Sequence, residues 1–174
     1  MNEQNLSIKW ATHGDAKLIC DLGARFFIEA YYEEKAMDDL LLYCQKAFVQ
    51  ADIEADIKEG KAFYAICKLD ERDCGYIKLR SDRTLESLPK LQCIELERIY
   101  VGRDYWRHHI GKFLMDEAVS FGRKNNFEYL WLGVWQLNHR ANAFYKNYGF
   151  EIIGTKKFYV GTEVNDDYVL GIRI

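Results

Sequence analysis

The chain has 174 residues, of which 49% are hydrophobic and 29% charged, and its formal net charge is −3. This length and composition predict one globular domain over residues 1–174, and a content of twelve glycines and one proline argues against a flexible linker. The acidic balance argues against a nucleic-acid partner, because nucleic acids bind basic faces.

Cysteine usage and hydropathy narrow the class of protein further. The five cysteines form no C-x-x-C pair, which argues against a disulfide framework, a zinc ribbon or another metal site. No apolar run approaches the roughly 20 residues of a membrane span, and the opening "MNEQNLSIKW" has no apolar signal region. We therefore expect a cytoplasmic protein with reduced thiols, no bound metal and no membrane partner.

The first half of the chain predicts a strand, a group of helices and a hairpin. Residues 6–11 alternate as a short strand, and Thr12 or Asp15 can cap the helix that follows. Residues 29–48 predict a helix, a break and a second helix, and residues 50–60 predict a short helix ended by glycine. "KAFYAICKL" and "CGYIKLRSD", joined by "DERD", then predict an antiparallel hairpin.

The second half predicts a βαβ unit. "LQCIELERIYV" predicts a strand, residues 110–121 predict a helix, and the almost continuously apolar "EYLWLGVW" predicts a strand covered on both faces. A further helix, capped by Asn138 and ended by Gly149, precedes two closing strands joined by "GTEVN". The predicted fold class is α/β (α+β), a mixed sheet with helices before and between its strands.

The turn before the βαβ helix, "YWRHHIGKFLMDEA", has two interpretations. A helix start presents unpaired N–H groups and a positive dipole end, which bind phosphate. Arg107, His108 and Lys112 add positive charge there, and Gly111 allows close backbone approach. The alternative is an ordinary basic helix start. A metal site is not expected, because His108 and His109 are adjacent and point in different directions.

Two further features each allow a functional and a structural interpretation. Regular alternation in "CIELERIYV" places Glu95, Glu97 and Ile99 on one face of the strand. A carboxylate near the end of this strand can serve as a base, or it can be an ordinary surface or ion-paired glutamate. In "ANAFYKNYGF", Phe144 and Tyr145 belong to an apolar stripe, and a tyrosine in such a stripe packs in the core or donates a proton.

The order of these features resembles the GCN5-related N-acetyltransferase (GNAT) family. The resemblance spans at least residues 94–150. The phrases "ELERIYV", "YLWLGVWQLN", "ANAFYKNYGF" and "FYVGTEVNDDYVL" are most similar to the PaiA-type spermidine/spermine N-acetyltransferases. The resemblance implies the GNAT fold, with a mostly antiparallel mixed sheet, a central βαβ unit and helices on both faces.

The cofactor that this resemblance implies is acetyl-CoA. The family's pyrophosphate turn, Gln/Arg-x-x-Gly-x-Gly/Ala, falls on residues 106–111, where only Gly111 matches. Trp106 stands at the Gln/Arg position and His109 at the first glycine, although His tolerates a positive φ better than most residues. The implied cofactor contacts are Ile99, Tyr100 and Val101 for the pantetheine arm, Arg107, His108, His109, Ile110, Gly111 and Lys112 for the pyrophosphate, and Asn138 and Phe144 along the channel.

The resemblance also implies the chemistry, which is acetyl transfer by direct attack of a primary amine. Glu97 matches the family's usual base and Tyr145 its general acid, with Glu95 as the reserve base. The implied acceptor site includes Glu29, Tyr31, Glu95 and Trp135, in an acidic and aromatic setting that suits a polyamine such as spermidine or spermine.

Two other functions stay open at this stage. One is a protein lysine or N-terminal acetyltransferase, and the other is a non-catalytic acyl-CoA-binding sensor. The implied partner is a small-molecule amine, and a homodimer stays open.

Overall fold

The computed structural model describes residues 5–85 and 91–174, so the predicted loop around Pro89 lies outside the described residues. The elements, in chain order, are β1 (Leu6–Trp10), α1 (Ala16–Tyr31), α2 (Met37–Ala47), α3 (Gln50–Lys58), β2 (Ala62–Leu69), β3 (Arg72–Arg80), β4 (Cys93–Val101), α4 (Ile110–Lys124), β5 (Tyr129–Trp135), α5 (His139–Tyr148), β6 (Glu151–Val160) and β7 (Glu163–Arg173). This order confirms the predicted succession of helices and strands.

The strands form one seven-stranded sheet in the order β1-β2-β3-β4-β5-β7-β6. Neighbouring strands are antiparallel except β4 and β5, which are parallel and are joined by α4. The predicted βαβ unit is therefore confirmed, and so is the mixed, mostly antiparallel sheet. The crossover places the start of α4 at the carboxyl end of β4.

Helices cover both faces of the sheet, as predicted. On one face, α1 packs Ile19 and Phe26 against Tyr64 and Tyr76 of the β2–β3 hairpin. On the other face, α4 and α5 contribute to the largest core cluster, which also contains Ile77, Ile94, Leu96, Leu130 and Leu132 of the sheet. None of the helices in the described ranges combines the length and apolar character needed to cross a membrane.

The predicted helix ends have the expected geometry. The Asn138 side chain caps α5 by accepting a hydrogen bond from the Ala141 N–H at 3.1 Å. Gly149 ends that helix with φ +110°, a conformation that glycine adopts without a Cβ penalty. Before α1, Thr12 and Asp15 cap a short 3₁₀ turn, His13–Asp15, in which the Thr12 N–H donates to the Asp15 carboxylate at 2.9 Å. Asp15 is also the N-cap residue of α1, but its side chain makes no capping hydrogen bond to that helix.

A β-bulge in β4 corrects the predicted alternation. Lys78 of β3 pairs with Arg98, while its neighbour Leu79 pairs with Leu96, so Glu97 is an extra residue in β4. The two halves of the strand are therefore out of phase. Leu96 and Ile99 both pack on the α4 side, and Glu97 lies with Lys78 on the α1 side. The prediction that Glu97 and Ile99 share a face was wrong because it assumed a regular strand.

Candidate active site

A cleft opens between β4 and β5. Their parallel pairing stops at Glu95 and Trp131, and the later residues of both strands line a cavity of about 970 Å³. The other edge of β4 remains paired with β3 as far as Val101. The β5-facing backbone groups at the end of β4 therefore have no strand partner.

Most of the residues predicted from the sequence meet in this one cleft. The predicted residues that line it are Tyr31, Glu95, Glu97, Ile99, Tyr100, Val101, Arg107, His109, Ile110, Gly111, Lys112, Trp135, Asn138, Phe144 and Tyr145. Glu29 and His108 are not among the lining residues. Residues separated by up to about 110 positions in the chain thus surround one cavity.

At one end of the cleft lies the turn that precedes α4. His109 is the N-cap of α4 and has φ +58° and ψ +11°, so it takes the left-handed conformation for which glycine is the usual residue. A Cβ at Gly111 would meet Phe144 at 3.9 Å, an ordinary van der Waals distance, so the protein's own packing does not require glycine here. Arg107 and Lys112 are exposed beside it. Geometry and charge here both suit an anion.

Trp106 and Arg140 cover part of the same end. The Trp106 indole N–H donates to the Val101 carbonyl at 3.0 Å, and the Arg140 guanidinium lies 3.6 Å from the centre of the Trp106 ring. Sequence reasoning missed Arg140, which is an unremarkable residue in the first turn of α5. It adds a cation to the anion-binding end of the cleft.

The Glu97 carboxylate lies within a cluster of cations. Its oxygens are 2.9 Å from Lys78 Nζ, 3.3 Å from an Arg98 nitrogen, 3.6 Å from Arg83 and 3.7 Å from Arg80. Burial alone would raise the pKa of Glu97, but the opposing effects of Arg98 and Lys78 are stronger, and the pKa is lowered. The geometry therefore matches the ion-pair interpretation of this glutamate.

Glu95 is more deeply buried, with 1% of its surface exposed. Its two oxygens lie 3.1 Å from Arg83 and 3.6 Å from Lys156. Burial raises the pKa of this carboxyl, and the two cations only partly oppose the shift. Both β4 glutamates therefore have cationic partners.

Tyr145 lies in the wall of the cleft on α5. Burial and the neighbouring Tyr31 raise the pKa of its phenol, so the hydroxyl keeps its proton at neutral pH. Tyr31 interacts in turn with the side chains of Asn138 and Tyr100. Tyr145 therefore meets one requirement of a proton donor, which is a proton retained at neutral pH.

The acidic side chains at the end of α1 and just after it mostly face away from the cleft. Glu29 accepts a hydrogen bond from the Arg103 backbone N–H at 2.9 Å, and Glu33 pairs with the Arg103 guanidinium at 2.7 Å. The buried Lys35 lines the cleft instead, with its ammonium 4.1 Å from the centre of the Trp135 ring. Local sequence acidity did not indicate which of these side chains point inward.

Two residues of the closing hairpin complete the cleft, and sequence reasoning missed both. Lys156 of β6 crosses β5 above Gly133, where a Cβ would lie only 2.4 Å from Lys156 Cε. Asp167 of β7 is the register partner of both Trp135 and Lys156, and it is buried. The alternation of side chains in "NDDYVL" could have indicated that Asp167 shares a face of the strand with Asn165. It could not have indicated which residues of the neighbouring strands pair with Asp167.

The model of the acetyltransferase (GNAT) family matches residues 21–150 of the chain. An uncharacterised N-acetyltransferase of Lactobacillus delbrueckii is 26% identical over 144 residues, which is 83% of each chain.

Solved structures share the fold. The PaiA N-acetyltransferase of Thermoplasma acidophilum, crystallised with coenzyme A, superposes with a TM-score of 0.77 at 16% identity and covers 98% of this chain and 99% of its own. An acetyltransferase of Salmonella typhimurium with its cofactor acetyl-CoA gives 0.69 at 14% identity, with 97% and 94% coverage. Since the family model covers about three-quarters of its length, the chain belongs to the GNAT family of acetyltransferases and uses acetyl-CoA as its cosubstrate.

Proposed function

We propose that this enzyme acetylates a primary amine of a small molecule, and that the amine is a polyamine such as spermidine or spermine. The observation that supports the amine most directly is the composition of the cleft. A protonated tyrosine and buried carboxylates surround the opening between β4 and β5, where a donor and an acceptor can meet from opposite sides. The choice of a polyamine as the acceptor is supported by similarity to the PaiA protein and by the Tyr31 and Trp135 rings in the cleft.

The residues present fit acetyl-CoA. The unpaired edge of β4 at Ile99 and Tyr100 suits the amides of the pantetheine arm, in the way that a peptide adds to a sheet edge. The N–H groups after His109 suit the pyrophosphate, and Arg107 and Arg140 supply positive charge nearby. Bound acetyl-CoA supplies a thioester whose carbonyl carbon is open to attack by an amine.

The chain's own groups hold and move the protons. Tyr145 keeps a proton that it can donate to the departing sulfur, and the backbone N–H near Ile99 is the proposed donor to the oxyanion. The resemblance implies Glu97 as the base, but four surrounding cations make its carboxylate a weak proton acceptor.

Release of free thiol from acetyl-CoA over a panel of amines tests the proposal. The panel contains spermidine, spermine, putrescine, a lysine peptide and a peptide with a free N-terminus. We expect release with the polyamines. Release with the peptides alone would contradict the polyamine acceptor, and binding of acetyl-CoA without release for any amine would contradict catalysis and favour a sensor.

A further inference from the structure

We propose that Asp167, rather than Glu97, accepts the proton from the acceptor's ammonium group. This assignment rests on the proposed acetyl transfer to an amine, and it concerns the acceptor end of the same cleft. It adds a catalytic residue on β7, a strand that the sequence-based site did not include.

The position of Asp167 is suitable for this role. Its side chain is 4% exposed and lines the cleft, and its Oδ2 lies about 3.4 Å from the position that a Cβ on Gly133 would occupy. Gly133 lies in the part of β5 that has separated from β4. The Asp167 carboxylate therefore faces the gap in which donor and acceptor meet.

Tyr31 links Asp167 to the proposed proton donor. Its phenol interacts electrostatically with both Asp167 and Tyr145. It also interacts with the side chain of Asn138, at the start of the helix that carries Tyr145. All four side chains line the same cleft.

Asp167 also differs from the two glutamates in its bonding. Among residues 5–85 and 91–174, Asp167 forms no ion pair within 4 Å, and its buried Oδ1 has no hydrogen-bond partner. Glu97 contacts four cations, and Glu95 contacts two. A buried oxygen without a partner costs free energy unless a ligand donates to it. An ammonium group in the cleft would supply that donor.

The charges around Asp167 come from three neighbouring elements and its own strand. Lys156 of β6 and Lys35 after α1 lower the pKa of Asp167, and Asp166 of its own strand raises it. Tyr31 of α1 is a further titratable neighbour. β5 contributes Gly133 and Trp135, which do not titrate. Burial is the largest effect and raises the pKa of Asp167 to about 6. A base is most effective when its pKa is near the working pH.

The proposed reaction conserves every proton. The ammonium gives one proton to the Asp167 carboxylate and becomes a neutral amine, whose nitrogen forms the N–C bond while the C–S bond breaks. Tyr145 gives its proton to the sulfur, and the second proton of the nitrogen returns to the Tyr145 oxygen. The products are the acetamide, the free thiol and a protonated Asp167, which then loses its proton to solvent.

The test compares Asp167→Asn with Asp166→Asn. Asp166 is the adjacent residue, is exposed and pairs with Lys157, so its variant controls for a lost carboxylate on the same strand. We expect Asp167→Asn to lower kcat/KM by about 100-fold to 1,000-fold at pH 7, and Asp166→Asn, which removes only the smallest of the effects on the pKa of Asp167, to change it by less than about threefold. Asp167→Ser is the second variant should the asparagine variant not fold.

The pH profile separates a base from a structural residue. An amine with a pKa of about 10.4 becomes about tenfold more deprotonated per pH unit near neutrality. The deficit of Asp167→Asn should therefore shrink about tenfold per unit up to pH 9, because solution supplies the neutral amine. The wild-type profile should bend near pH 6, with activity that falls below that pH and stays level above it, whereas the activity of the variant should rise steadily with pH and show no bend there. A deficit that stays constant with pH, or a bend near pH 6 that persists in the variant, would overturn the assignment.

Carbon NMR of the protein labelled at the aspartate carboxyl carbons gives a readout that needs no turnover. One resonance should titrate near pH 6 in the wild type and be missing in Asp167→Asn. If no aspartate resonance of the wild type titrates near pH 6, the proposal is wrong even if the wild-type enzyme is fully active. If the wild type releases no thiol with any amine while this resonance is present, the proposed function has failed instead.

Discussion

Replacement of Glu97 by glutamine should destabilise the protein strongly. The Lys78 ammonium and the Arg98 guanidinium, 2.9 and 3.3 Å from the carboxylate, belong to side chains that are only 6% and 7% exposed. Removing one partner of a buried ion pair costs about 3–5 kcal/mol, because the remaining charge stays buried without compensation. Lys78 and Arg80 keep Asp56 as a second partner, so we expect the lower end of that range.

The assay is thermal unfolding followed by circular dichroism at pH 7. For a chain of this size 1 kcal/mol shifts Tm by about 2–4 °C, so the expected fall is about 6–12 °C. The matched control is Asp21→Asn, which breaks an exposed pair with Lys17 and should leave Tm nearly unchanged, because exposed ion pairs contribute little to stability.

The pH dependence of this loss has a defined sign. The folded-state pKa of Glu97 is lowered, so its stabilising contribution is complete above the unfolded pKa of about 4.3 and is lost as the pH falls through the folded value. The difference in Tm between wild type and variant should thus be full at pH 7 and shrink below about pH 4. A variant within 2 °C of the wild type at pH 7, or a difference that is undiminished in acid, would refute this reasoning.

Substitutions at three further positions test the cleft. Tyr145→Phe should lower kcat about 100-fold with unchanged calorimetric affinity for acetyl-CoA; an unchanged kcat where chemistry limits the rate would contradict the proton-donor role. His109→Gly should stabilise the fold by about 0.5–1 kcal/mol in chemical denaturation, because it removes left-handed strain, whereas His109→Ala should not. If both His109 variants bind acetyl-CoA more weakly than wild type, the imidazole itself contacts the cofactor. Gly133→Ala should displace the flexible end of Lys156 without unfolding the protein. Because Lys156 lowers the pKa of Asp167, the acid limb of the rate profile should then move to higher pH; an unmoved limb would count against the Asp167 assignment.

The fold was predictable from the sequence because its signals are local. The change from helical to alternating periodicity near residue 61 and the apolar run "EYLWLGVW" depend on neighbours within a few residues. The caps at Asn138 and Gly149 follow equally local rules. The prediction that a histidine can stand at the glycine position of the turn agrees with the positive φ of His109.

The acceptor end could not be predicted in the same way. The contacts of Lys156 with Glu95 and of Asp167 with the cleft depend on which strands lie side by side, so residues more than 30 positions apart must be paired first. The direction of Glu29 likewise depends on Arg103, which comes from a loop 74 positions later. Residue type indicated charge in this region, but only tertiary packing determined which charges face the cavity.

The extra residue at Glu97 gives β4 one residue more than its pairing with β3 requires. Without Glu97, Leu96 and Arg98 would be consecutive partners of Leu79 and Lys78, so the strand would pair regularly and the later side chains would keep their faces. A deletion at Ile99, beyond the bulge, would instead turn Tyr100 toward α4 and Val101 toward α1. Among relatives that keep this cleft, a change of one residue in the length of β4 should therefore be found at the bulge rather than after it.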